Sequence, residues 1–120
     1  MIEDLDQRGL LKDTLVICMG EFGRAPIVAL EERFAGSSPG RKHWSWVYSI
    51  VMAGAGVAPG TIVGASDRRG AFPTTDPFGP WDVMATIFSA LGIPPDTEYV
   101  DPLNRPFRIC EGRVMQDIYG

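Results

Sequence analysis

The segment Asp13 to Arg24, DTLVICMGEFGR, constrains the fold more than any other part of the chain. Its apolar run from Leu15 to Met19 is short, contains β-branched residues and stops abruptly at Gly20-Glu21-Phe22-Gly23-Arg24. A run of that length and composition predicts a strand buried in a parallel sheet. A carboxylate and a guanidinium follow at once, flanked by glycines that free the backbone, and open α/β sheets build their sites at such strand ends. His43, the only histidine, comes in GRKHW at 40–44, a loop of similar character. A site is expected here before anywhere else.

The rest of the chain reads as strands, loops and one clear helix. A long segment rich in Gly, Pro, Ser and charge, 20–46, separates the first strand from a second apolar run, Val47 to Ala53. Connections of this length inside compact domains are commonly functional or disordered. Gly54-Ala55-Gly56 ends the second run, and Pro59-Gly60 turns the chain into a short predicted strand from Thr61 to Val63. A second polar loop occupies 66–79. The helix is predicted over Pro80 to Leu91, where Pro80 suits the first helical position, Asp82 the first turn and Gly92 the stop. Met84, Ile87, Phe88 and Leu91 recur at helical spacing and are expected to form its buried face. Glu98 to Val100 and Phe107 to Cys110 flank the turn residues Asp101-Pro102-Leu103-Asn104 as a small hairpin. A helical turn is expected over Val114 to Tyr119. At the other end, Ile2, Leu5 and Leu10 lie on one side of an amphipathic helix.

One hundred and twenty residues with 45% hydrophobic content suit one domain with a globular core. No apolar run approaches the roughly 20 residues that span a bilayer. The start, MIEDLDQRG, is acidic and carries no secretion signal, which leaves the compartment open. A net charge of −4 argues against a general nucleic-acid binder. The positive charges nevertheless gather near the predicted strand ends. Arg24, Arg41, Lys42, Arg68 and Arg69 suit an anionic group there, or are solvated loop charges. Of the two cysteines, Cys18 in the apolar run is expected to be a buried structural thiol, and neither cysteine has the spacing of a zinc or redox motif.

LLKDTLVICMGEFGR, GRKHW, VMAGAGVAPGTIVGASDRRGAFP, DVMATIFSALGI and DPLNRPF together resemble the DUF1501 family, bacterial proteins placed in the alkaline phosphatase and sulfatase superfamily. The likeness covers nearly the whole chain and keeps the family's order. It implies an α/β, alkaline-phosphatase-like fold with a mainly parallel sheet flanked by helices, of which residues 1–120 would be the C-terminal third, a single partial domain. The superfamily's nucleophile, a Ser, Thr or modified Cys beside a first aspartate ligand, would then lie in an N-terminal part outside this chain.

The resemblance also implies roles for particular residues. The corresponding superfamily strand ends in an Asp followed by His or Asn, both metal ligands, and here that pair is Glu21 and Phe22. Glutamate can bind a divalent cation, while phenylalanine cannot. Glu21 is accordingly read either as a metal ligand or as a strand-end ion-pair partner of Arg24. His43 resembles the later histidine that closes the superfamily's metal or anion site, which makes it the candidate catalytic residue. Lys42 stands where the family usually has an acid and could hold an anion, as could Arg24 and Arg41. The metal would be zinc, calcium or manganese, shared with the N-terminal part. Asp67 and Asp76 are read as turn-forming residues or as further carboxylates. Trp44, Trp46, Phe78 and Trp81 are read as packing residues over the loops, or as an aromatic wall for a sugar ring.

Glu21 and His43 make two ligands where a catalytic zinc needs about three. The chain alone is therefore expected to be inactive. The family architecture implies hydrolysis of phosphate or sulfate esters, with an anionic small molecule or carbohydrate ester as substrate. The alternative is a degenerate member that binds an anionic ligand or a partner protein without turnover. Self-association through an exposed sheet edge is a further expectation.

Overall fold

The structure is a computed structural model that describes residues 1–29 and 39–120. Among the described residues, α1 (Ile2–Gln7) leads through a 3-10 turn (Leu11–Asp13) into β1 (Val16–Cys18). β2 (Gly23–Arg24), β3 (His43–Trp44) and β4 (Val51–Ala53) follow, then α2 (Pro80–Ala90), β5 (Glu98–Val100), β6 (Pro106–Arg108) and a final 3-10 turn (Gln116–Tyr119). The strands form three two-stranded sheets, β1 with β4, β2 with β3 and β5 with β6. The last two are antiparallel.

Two compact units emerge, one of Met1–Val16, Met52–Val63 and Phe78–Gly120, the other of Ile17–Val51 and Gly64–Pro77. The first is organised by α2. Pro80 opens the helix, and the Asp82 carboxylate reaches back to accept the Gly79 N–H at 2.7 Å, the acidic half of a capping box. Its other oxygen accepts the Arg113 N–H at 2.8 Å. One turn on, the Thr86 hydroxyl donates to the Asp82 carbonyl and accepts the Met115 N–H at 2.9 Å, with no exposure at all. These two polar side chains fasten 113–115 to the helix while Val83, Ala85, Met115 and Ile118 supply the buried apolar surface. Arg113 also lies over the Phe78 ring, 4.7 Å from its centre. The Cys110 thiol donates to the Trp81 carbonyl at 3.2 Å. Gly54, at φ +84°, passes so close to the Thr14 and Leu11 carbonyls that no side chain fits.

Several expectations are corrected here. The strand predicted from Leu15 to Met19 is confined to three residues, as is the one predicted from Val47 to Ala53. Neither is buried throughout. Met19 is 46% and Val51 60% exposed, and Cys18 is an exposed thiol rather than a core one. Thr61 to Val63 forms no strand: without a partner ladder β-propensity is not enough, and Ile62 is 90% exposed. The helix ends at Ala90, and its buried face is rotated from the predicted one, leaving Met84 and Leu91 exposed. The cause is the Asp82 and Thr86 bonding to 113–115, which turns that side inward. The C-terminal hairpin holds, shifted to Pro106–Arg108.

Candidate functional site

The second unit contains the glycine-bounded acid, the histidine and the basic residues. What the composition suggested was one long loop is partly an antiparallel ribbon. Gly23 pairs with Trp44 and Arg24 with His43, the Ala25 N–H donates to the Lys42 carbonyl at 2.8 Å, and Ala29 and Gly40 exchange backbone bonds further out. Residues 30–38 of that predicted loop lie outside the described residues. The ribbon brings together groups 22 positions apart in sequence, and the His43 Nε2 and Glu21 Oε1 stand 2.5 Å apart. Register puts Arg24 directly across from His43, on the same face of the ribbon.

The surroundings explain the geometry. Gly23 runs against the Val47 and Trp44 carbonyls, with no room for a Cβ. Only glycine fits at this point of the strand, between Glu21 and Arg24. The Phe22 ring, which cannot be a metal ligand, meets the imidazole edge-on with centres 5.3 Å apart. The pair is open to solvent, with 57% of the His43 side chain and 71% of the Glu21 side chain exposed. Its own backbone N–H, then the His43 ring, hold the Glu21 carboxyl below its ordinary value, with the charges of His43 and Arg24 adding to the effect. Because Glu21 engages Nε2, Nδ1 is the ring nitrogen left to meet a ligand. Arg41 donates to the Ala25 carbonyl at 3.3 Å, which ties the two arms of the ribbon together.

The remaining candidates separate clearly. Asp67 is a turn residue, its Oδ1 accepting the Ala71 N–H at 2.8 Å and the Arg69 N–H at 3.0 Å. Those bonds, Ala71's first, keep its carboxyl below the ordinary range. Asp76 is exposed. Trp44 is half-buried, and its indole N–H donates to the Ala71 carbonyl at 2.6 Å. The Phe72 ring takes Trp44 and Trp46 edge-on, whereas Phe78 and Trp81 belong to the other unit. Among the described residues no group of three or more His, Cys, Asp or Glu side chains is placed to hold a metal ion. Glu21 and His43 thus offer two donors of the right chemistry for zinc and an incomplete set. Sequence reasoning missed the contact of Phe22 with His43, because nothing in spacing alone shows an edge-to-face ring.

A small chain of mixed helices and short two-stranded sheets, with an exposed glutamate–histidine pair at an antiparallel ribbon, is the class that fold and site define. The chain matches, over residues 1–119, the family described as a protein of unknown function, DUF1501, and it belongs to that family. No curated protein and no solved structure matches it.

Proposed function

We propose that this chain serves as the C-terminal portion of an α/β, alkaline-phosphatase-like hydrolase of phosphate or sulfate esters, and that Glu21, Arg24 and His43 form the oxyanion-binding corner of its site. The observation that carries the reading is the Glu21–His43 contact with Arg24 paired across the strands. A tetrahedral oxyanion would meet the His43 Nδ1 and the Arg24 guanidinium, a group suited to two oxygens at once, with Arg41 and Lys42 on the same ribbon adding positive potential. Glu21 would hold the imidazole in place. Were a zinc, calcium or manganese ion shared with an N-terminal part to take the Glu21 carboxylate and the His43 Nδ1 as two of its donors, it would act as a Lewis acid there and the oxyanion would meet the metal and Arg24 in place of Nδ1. The substrate would be an anionic small molecule or a carbohydrate ester.

The two-donor count favours a second reading, a member that holds an anion or a partner protein without turning it over. Assays with aryl phosphate and aryl sulfate, with each metal supplied, distinguish the two. The chain should show no turnover alone and should gain it when joined to the N-terminal part of a family member, with loss in Glu21→Ala and His43→Ala. Turnover by the joined protein that survives both substitutions would refute the site. No turnover at all, with oxyanion binding retained, would establish the second reading.

A further inference from the structure

The other side of the ribbon carries a second assembly that the Glu21–His43 pair does not use. Side chains alternate along a strand, so Trp44 faces away from His43. Its neighbours are the 66–73 loop, a turn built to be rigid. Ser66 and Pro73 bridge its base, the Asp67 N–H donates to the Phe72 carbonyl at 2.9 Å, and the Asp67 carboxylate holds two N–H groups across the bend. The Trp44 indole bond to Ala71 locks the loop from beneath. Two consequences follow at its surface. Phe72 and Trp46 stand edge to face with centres 5.6 Å apart and remain 48% and 61% exposed. Arg68 and Arg69, at the tip of the same short loop, are exposed, and their guanidinium groups make no hydrogen bond or ion pair with a described residue.

We infer that the Trp46–Phe72 pair and the Arg68–Arg69 loop tip form a binding platform for an anionic saccharide, a pyranose bearing a sulfate or a carboxylate. Aromatic rings held in place present a flat apolar face at little cost in conformational entropy, which suits the C–H face of a sugar ring. Two exposed arginines at the tip of the loop that carries Phe72 supply the complement to its charge, and a guanidinium grips a sulfate or carboxylate with two parallel bonds. A nucleic acid shares the stacking and the anion but is bound chiefly through a row of phosphate charges, which two arginines do not match. The platform does not depend on the ester-hydrolase reading, because it shares no residue with Glu21, Arg24 or His43.

Titration of the full chain with a sulfated chondroitin tetrasaccharide, followed by calorimetry, tests the inference. Binding should weaken about tenfold in Trp46→Ala, for a loss comparable to one ring contact, and about as much in the Arg68→Ala/Arg69→Ala double variant. Circular dichroism of each variant should match the parent's, so that a loss of binding is not a loss of fold. Trp46→Phe, which keeps a ring, should retain most of the affinity, whereas Trp46→Leu, which keeps apolar area without one, should not. Ile62→Ala, at an exposed residue outside both sites, should bind as the parent does. Loss on removing the arginines with none on removing Trp46 would mean simple ion exchange and overturn the inference. So would tighter binding of a dT oligonucleotide than of the tetrasaccharide, or no binding by the folded parent.

Discussion

Thr86 shows how much a single hydroxyl can organise. It is wholly buried, gives its proton to the Asp82 carbonyl and receives the Met115 N–H. Thr86→Val keeps the shape and strands that N–H, so unfolding by urea should show a loss of about 1–3 kcal/mol. An unchanged midpoint would mean that Met115 finds another acceptor. Gly23 acts by what it lacks. A Cβ there would collide with the Val47 carbonyl, and Gly23→Ala should destabilise the ribbon by about 1–3 kcal/mol, the usual cost of overpacking. Amide exchange at Ala25 and Arg24 would report the loosened pairing; protection equal to that of the parent would show that the backbone gives way freely. The residue scale is also where sequence reading reached furthest. Residue type and glycine punctuation single out Glu21, Arg24 and His43, and the ribbon sets Glu21 against His43 with Arg24 paired across from it. Arg41's bond to Ala25 was beyond reach, because a side chain bonded to a carbonyl leaves no mark in composition.

At the scale of elements, the turn chemistry carried most information. Asp67 was expected to form a turn, and its carboxylate closes one by accepting the Ala71 and Arg69 N–H groups. Its folded pKa lies below the unfolded one, so its contribution is fully present above the unfolded value near 4 and is lost as pH falls through the folded value. Between those two values the parent should lose stability faster than Asp67→Asn, which cannot ionise. Parallel acid-unfolding curves for the two would contradict this. The short strands were the least readable elements. A two-residue pair such as Gly23–Arg24 with His43–Trp44 has no period to detect, and it was absorbed into a predicted loop. The rotation of α2 was hidden for another reason. Apolar periodicity marked Met84 and Leu91, while the inward side was chosen by two polar residues whose partners lie about thirty positions away.

For the whole molecule, the balance of buried and exposed apolar surface matters most. Ala71, Val83, Ala85, Met115 and Ile118 are buried, whereas Met19, Val51, Ile62, Trp81, Tyr99, Val100, Leu103 and Phe107 remain exposed. The β5–β6 pair is exposed on both faces, and isolated two-stranded hairpins are marginal in water. Surface of this kind promotes association. The chain at high concentration should elute larger than a monomer and bind an apolar dye, and Val100→Lys on the hairpin should reduce both. A monomer that excludes the dye at all concentrations would contradict the expectation.

Whether Glu21, Arg24 and His43 together receive an oxyanion is open to direct measurement. His43 is the only histidine, so its ring nitrogens give a single, unambiguous set of resonances in a nitrogen-15 spectrum. Phosphate or sulfate added to the chain should shift the Nδ1 resonance saturably, while Arg24→Ala and Glu21→Ala, each still folded, should lose the response. Ring resonances that stay fixed through a full titration of the parent, or that move equally in all three proteins, would contradict the account.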